Sequence, residues 1–342
     1  MKVSLEQIRE ITRGAAWIEE KDGLVHFHRF TAEQEAIYES VREGLYIKSK
    51  GSAGVQMVFR TDSRKLGLAV QTACSSTRKF FSVDVLVNGV LVGQLENYLD
   101  IPWPDVREKH YSEIDYPLGD FAGMFDLGSG EKTVTLCFPW SVITGLRELT
   151  LDDGATVQPV KAAKKGIIFG DSITHGYDTR VSSQSYASML ALALDADARN
   201  KGIGAEVFFP PMARAKDEGF DPDFITVAYG TNDWSLKTQD EFRENCRDFY
   251  AALSENYPNA KIFAITPTWR ADYQEDRTFG DFMLVEQYIR ELTEDLPNVI
   301  CIRGFEMVPQ DVELFGDRYL HPNEAGFEHY FRNLYKAIAP LL

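Results

Sequence analysis

The C-terminal half of the chain alternates short, almost wholly apolar runs with longer stretches of helical periodicity. The runs are "GIIF" (166–169), a weak "ARN" (198–200), "FITVAYG" (224–230), "KIFAITPT" (261–268) and "NVICIRG" (298–304), and helical patterns fall near 183–197, 238–256, 281–295 and 323–338. A strand that is apolar on both faces must be covered on both, and the intervening helices supply that cover. The pattern therefore predicts a parallel sheet with helices on either side. In such sheets ligands bind beyond the carboxyl ends of the strands, which is where chemistry should be sought.

The first 160 residues have a different texture. Short alternating runs, such as "GLVHFHRF" (23–30), "GVQMVFRTD" (54–62), "KLGLAVQTAC" (65–74), "KTVTLCFP" (132–139) and "LRELTLDD" (146–153), are separated by turn signals and predict an antiparallel sandwich. "VLVNGVLVGQL" reads as a hairpin closed by a type I′ Asn-Gly turn. One interruption, "TAEQEAIYESVREG" (31–44), opens with Thr31 and Gln34 in a capping-box spacing and predicts a helix. With "VQPVKAAKKG" (157–166) as linker, the chain divides into an N-terminal sandwich, 1–160, and an α/β domain, 161–342.

Lys and Arg total 36 against 52 Asp and Glu, a net charge of −16, which argues against nucleic acid or an anionic membrane as partner. The N-terminus has no apolar signal region and no later run is long enough to span a bilayer, so the expectation is a soluble, cytoplasmic protein. Cys74, Cys137, Cys246 and Cys301 form no CxxC pair and read as reduced core thiols. His26 and His28 share one strand face but lack a third ligand, and are expected to be exposed. Phosphate-loop and GxSxG motifs are absent, and "GIGAEV" lacks the third glycine of a dinucleotide fingerprint. No cofactor and no metal are expected, and a homo-oligomer is neither required nor excluded.

Polar residues cluster after the apolar runs. Gly170, Asp171 and Ser172 follow the first, Asn200, Gly202 and Gly204 the second, and Gly230, Asn232 and Asp233 the third. His321, after the last strand and just before the last helix, can fold back over the same sheet edge. A hydroxyl, an imidazole and several N–H donors then meet, which is the inventory of acyl transfer. Histidine takes the serine proton and returns it to the leaving oxygen, while fixed donors hold the oxyanion. Taken alone, Ser172 reads equally as a helix N-cap, and Asp171 and Asp233 read as loop braces. His175 reads as structural.

"GDSIT" (170–174), the glycine-bearing block after Asn200, "GTND" (230–233) and the late His-Pro resemble, in order, the four blocks of the SGNH or GDSL-type hydrolases. The resemblance covers 166–340 and implies a flavodoxin-like three-layer α/β/α domain with Ser172 as nucleophile and His321 as base. It also implies an oxyanion hole built from the N–H of Ser172, a block-two N–H and the side chain of Asn232. Two positions depart from the pattern. Block two reads "GIGAE", so either Gly204 or Ala205 supplies the amide, and Ala205 can do so only if its φ is negative. Arg318 stands three residues before the histidine, where relatives commonly carry Asp, and Asp317 stands four before. Either Asp317 orients the imidazole, or a backbone carbonyl does so in a Ser-His dyad, the latter slightly favoured.

The preceding sandwich, jelly-roll-like, resembles the arrangement in carbohydrate esterases of the acetyl-xylan-esterase type. That implies a serine esterase removing a short acyl group, acetyl first, from a sugar or oligosaccharide. The alternatives are a lipid or thioester acyl hydrolase, or an inactive sugar-binding relative. Trp234 and Trp269 are expected at the mouth of the site as stacking platforms for a sugar ring.

Overall fold

In the computed structural model, which describes residues Met1–Leu342, the two textures become two kinds of sheet. One antiparallel sheet runs, in spatial order, Trp17–Lys21, Leu24–His28, Val142–Leu151, Lys65–Cys74, Gly119–Asp126. The other runs Thr12–Arg13, Gln56–Thr61, Lys132–Cys137, Ser82–Val87, Val90–Glu96, with Gln158–Pro159 beside Gln56–Thr61. Phe27, Phe59, Leu68, Val85, Leu136 and Leu149 fill one core and make the pair a β-sandwich. Asn88 and Gly89 both have positive φ, 50° and 81°, as a type I′ hairpin turn requires. The Thr31–Gln34 capping box is formed and starts the helix Ala32–Val41.

Trp17–Lys21 and Gly119–Asp126, not foreseen as strands, lie at opposite edges of their sheet, where charge and glycine are tolerated and the apolar signal is weak. The expected linker is mostly structured. Gln158–Pro159 pairs with Phe59 and Arg60, and Lys164 already begins the first parallel strand. His28, expected on the surface, is 7% exposed, stacked on Trp17 and hydrogen-bonded through Nδ1 to Glu35 at 2.7 Å. Cys74, conversely, is exposed rather than in the core.

The parallel sheet comprises Lys164–Gly170, Ala196–Gly202, Phe224–Ala228, Lys261–Ile265 and Val299–Ile302, arranged 2-1-3-4-5. This is the flavodoxin-like order, with helices on both faces. Ala196–Gly202 gave a weak signal because it is an edge strand whose outward residues are polar: Asp197 accepts the Gly14 N–H, and Arg199 pairs with Asp217. Tyr38 and Leu45, from the helices Ala32–Val41 and Glu43–Ser49 inserted in the sandwich sequence, and Phe30, just before them, pack into the core of the α/β layer rather than the sandwich. No helix is long and apolar enough to cross a membrane.

Candidate active site

The first parallel strand ends at Gly170 and the chain turns at once into the short helix Ser172–His175. Asp171, not Ser172, is the N-cap, its carboxylate accepting the Ile173 N–H at 2.9 Å. Burial pushes the Asp171 pKa up to about 6. The Ser172 hydroxyl is thereby free, and it lies 2.8 Å from His321 Nε2.

His321 sits on a loop folded back on itself, Gly316 N–H donating to the His321 carbonyl at 2.7 Å. Within it Arg318 adopts a left-handed φ of 57°, which lets Asp317 curl beneath the turn. One Asp317 oxygen accepts the N–H groups of Tyr319, Leu320 and His321, at 2.9, 2.8 and 3.0 Å. The other is 2.6 Å from His321 Nδ1. The carboxylate four residues before the histidine therefore reaches Nδ1, and the carbonyl alternative favoured from sequence gives way to it. Burial opposes ionisation of Asp317, but the imidazole and the backbone donors outweigh it and hold its pKa well below the usual carboxylate range.

The second strand leads into the block-two loop. Gly204 N–H donates to His175 Nδ1 at 3.3 Å and is committed. His175 is fully buried, and burial first, then Arg29, lowers its pKa well below the ordinary value, so the ring is neutral. One lone pair is then available, which makes the 3.4 Å approach of Arg29 to Nε2 a contact rather than a second accepted bond. Ala205 has φ +68°, contrary to the condition set from sequence, yet its N–H remains without a protein acceptor, as does that of Ser172. An alanine can occupy this left-handed region at a cost of about 1 kcal/mol, so the amide survives the loss of glycine.

Asn232 is the second residue of the helix Thr231–Leu236, which follows Gly230, where φ is 116° and a Cβ would lie 2.6 Å from Val285 Cγ1. One amide hydrogen of Asn232 goes to the Glu206 carbonyl at 2.9 Å, tying it to the block-two loop and leaving the second free. Asp233 is fully buried and braces the same loop by accepting the Phe208 N–H at 3.2 Å.

The two tryptophans are not platforms. Trp234 is 1% exposed, packs on Phe282, donates to the Gly280 carbonyl and lies under Arg270 and Arg277. Trp269 is buried against Phe315. Each follows an apolar run closely enough to be drawn into the core, which a strand-end position alone cannot reveal.

Four residues that no motif marked also converge here. Arg29, fully buried, donates to the carbonyls of Lys48, Gly51, Asn200 and Gly202. Lys48 Nζ donates to the Gly204 carbonyl at 2.7 Å. Arg78 reaches from the sandwich to Asp178, whose carboxylate also faces His321. A polar cavity of about 260 Å³, lined by Trp103, Tyr111, Asp178, Arg180, Gly316 and Glu324 among others, flanks the histidine loop. A larger one, about 500 Å³, is confined to residues of the first 144, including Trp17, His26 and His28, and includes none of the serine, histidine and aspartate above.

The fold and this arrangement define a three-layer α/β/α domain of the SGNH type behind a β-sandwich. Residues 168–329 match the family model of the GDSL-like Lipase/Acylhydrolase family, and the C-terminal part of the protein is such a domain. Among solved structures, the salicylyl-acyltransferase SsfX3 from a tetracycline biosynthetic pathway superposes with a TM-score of 0.78 at 22% identity, covering 96% of this chain and 94% of that one. A family two carbohydrate esterase from Cellvibrio japonicus gives 0.63 at 17% identity, over 100% and 99%. An acetyl xylan esterase from the rumen bacterium Butyrivibrio proteoclasticus gives 0.55 at 17%, over 85% and 91%. A comparison with curated protein sequences finds no match.

Proposed function

We propose that the protein is a serine esterase that removes a short acyl group, acetyl first, from a carbohydrate hydroxyl through an acyl-enzyme. The observation that carries the reading is the hydrogen-bonded chain Asp317–His321–Ser172, 2.6 and 2.8 Å, with unpartnered N–H groups at Ser172 and Ala205. His321 Nε2 takes the proton of Ser172 as Oγ attacks the ester carbonyl. Asp317 holds Nδ1 protonated and stabilises the imidazolium. The oxyanion is received by the N–H groups of Ser172 and Ala205 and the free amide hydrogen of Asn232, each worth about 3 kcal/mol in such sites. Gly204, whose N–H is spent on His175, leaves the donor set. The imidazolium then protonates the leaving sugar oxygen, and water, activated in the same way, releases the acid.

The sugar is supported by the carbohydrate esterases among the structural relatives and by the polar, Trp103-bearing cleft beside the histidine loop. The compartment proposed is the cytoplasm, where the four free thiols stay reduced. The likeness to a salicylyl-acyltransferase favours a second reading, in which the acyl group passes to an alcohol acceptor instead of water. The test is turnover of p-nitrophenyl acetate and a panel of acetylated sugars, with Ser172→Ala as control. Loss of turnover in the variant is expected, and a variant as fast as the parent overturns the mechanism. Faster turnover of octanoyl than acetyl esters removes the acetyl assignment. Preferential formation of an acylated acceptor over free acid moves the protein to the second reading.

A further inference from the structure

Asp178 is a second carboxylate at the catalytic imidazole. It follows the nucleophile helix, holds a left-handed φ of 70°, and its side chain is fully buried. One oxygen stands 3.6 Å from His321 Nδ1, beyond hydrogen-bond reach and on the nitrogen that Asp317 already occupies at 2.6 Å. The histidine loop packs directly on it, since a Cβ at Gly316 would lie 2.7 Å from the Asp178 Cβ. The only hydrogen bonds to the Asp178 carboxylate come from Arg78, Nε at 2.8 Å and a terminal nitrogen at 3.4 Å. Arg78 belongs to the sandwich, between the strands Lys65–Cys74 and Ser82–Val87, and lies over the Tyr177 ring, whose other neighbours include the imidazole of His321.

To stay charged, a buried carboxylate needs a cation beside it. Were Arg78 absent, the nearest group able to become one would be His321, which would then hold its proton and cease to be a base. We propose that Arg78 is a positioning residue for the catalytic histidine: by pairing with Asp178 it spares His321 from serving as that carboxylate's counter-ion and anchors the loop on which the imidazole rests. This rests on the esterase reading above and extends it, because it makes the sandwich a contributor to the active site. The charged and titratable groups facing His321 are Asp317 on its own loop, Asp171 and Asp178 flanking the nucleophile helix, Tyr177 beside it, and Arg78 and His110 from the sandwich. Among these Arg78 is the one permanent cation. Burial works against its charge, and Asp178 more than restores it.

The test is the pH dependence of kcat/KM with p-nitrophenyl acetate from pH 5 to 9, after a fluorophosphonate probe has shown that Ser172 is reactive in the parent protein. Arg78→Met should move the acid limb up by about one pH unit, and Asp178→Asn should move it down, the range expected for gain or loss of one charge at this separation. The double variant should return towards the parent, and Arg78→Lys, which keeps the charge, should keep the parent's limb even at reduced rate. If Arg78→Met does not fold, Asp178→Asn and the double variant decide. Profiles that superimpose after scaling, or Arg78→Lys shifting as Arg78→Met does, overturn the proposal and leave a structural ion pair. A parent protein that the probe does not label overturns the esterase reading instead.

Discussion

At the residue scale, the Gly-Asp-Ser turn distributes two roles that the sequence left on one side chain. Asp171 caps the helix, so Ser172 need not, and its hydroxyl is available to His321. The sequence located the serine and the histidine because both belong to short local patterns. It left Asp317 undecided because the deciding event is a left-handed Arg318, which nothing in "GDRYLH" announces. With Asp317 on Nδ1, Asp317→Asn should lower kcat by roughly three to four orders of magnitude with little change in KM. The three backbone donors hold the amide oxygen on their side, which leaves the NH₂ facing Nδ1 and favours the wrong tautomer. Steady-state kinetics checks this, and a loss below threefold would reinstate the dyad. Ala205→Gly should relieve the left-handed strain and raise stability by up to about 1 kcal/mol, offset in part by the freer unfolded chain, with activity retained. A denaturant midpoint at or below the parent's would contradict it.

At the scale of elements, the loop after the second parallel strand is held from three sides. Arg29 grips the carbonyls of Asn200 and Gly202 at the strand end that leads into it, Lys48 grips the Gly204 carbonyl, Asp233 accepts the Phe208 N–H, and Asn232 donates to the Glu206 carbonyl. The acids in the loop and under it are costly: burial pushes Glu206 and Asp233 each up to about 7. Because their folded values lie above the unfolded ones near 4, their contribution to stability is complete at low pH and is lost as pH rises towards 7. Glu206→Gln should therefore gain melting temperature relative to the parent as pH goes from 5.5 to 8. His175, held neutral by burial, pulls the parent the other way at the acid end, so the comparison is made at each pH by scanning calorimetry. A difference independent of pH would mean that Glu206 ionises freely in the folded state. Element order was legible here because helix and strand periods are local. The brace was not, since Arg29 reaches Asn200 across 171 residues.

At the scale of the whole molecule, the antiparallel sheets are built from strands between Thr12 and Pro159 and the parallel sheet from strands from Lys164 onward, yet side chains from the first stretch pack into the second. Phe30, Tyr38 and Leu45 complete the α/β core, and Arg29, Lys48 and Arg78 complete the site. A fragment of 161–342 should therefore be poorly soluble and unlabelled by a fluorophosphonate probe that labels the full chain. A soluble, labelled fragment would show the α/β layer to be self-sufficient. The sequence by itself determined the alternation of parallel strands and long helices in the C-terminal half, the Asn88-Gly89 turn, the Thr31 cap, and which polar residues stand at the parallel strand ends. Apolar periodicity and turn chemistry act over a few residues, so a linear string contains them. Only the tertiary structure decided that Ala205 rather than Gly204 keeps a free amide, that Asp317 meets the imidazole, that both tryptophans are buried, and that the sandwich supplies Arg78 to Asp178, 100 residues away. Each of these depends on which distant surfaces exclude water together, and that is settled by packing.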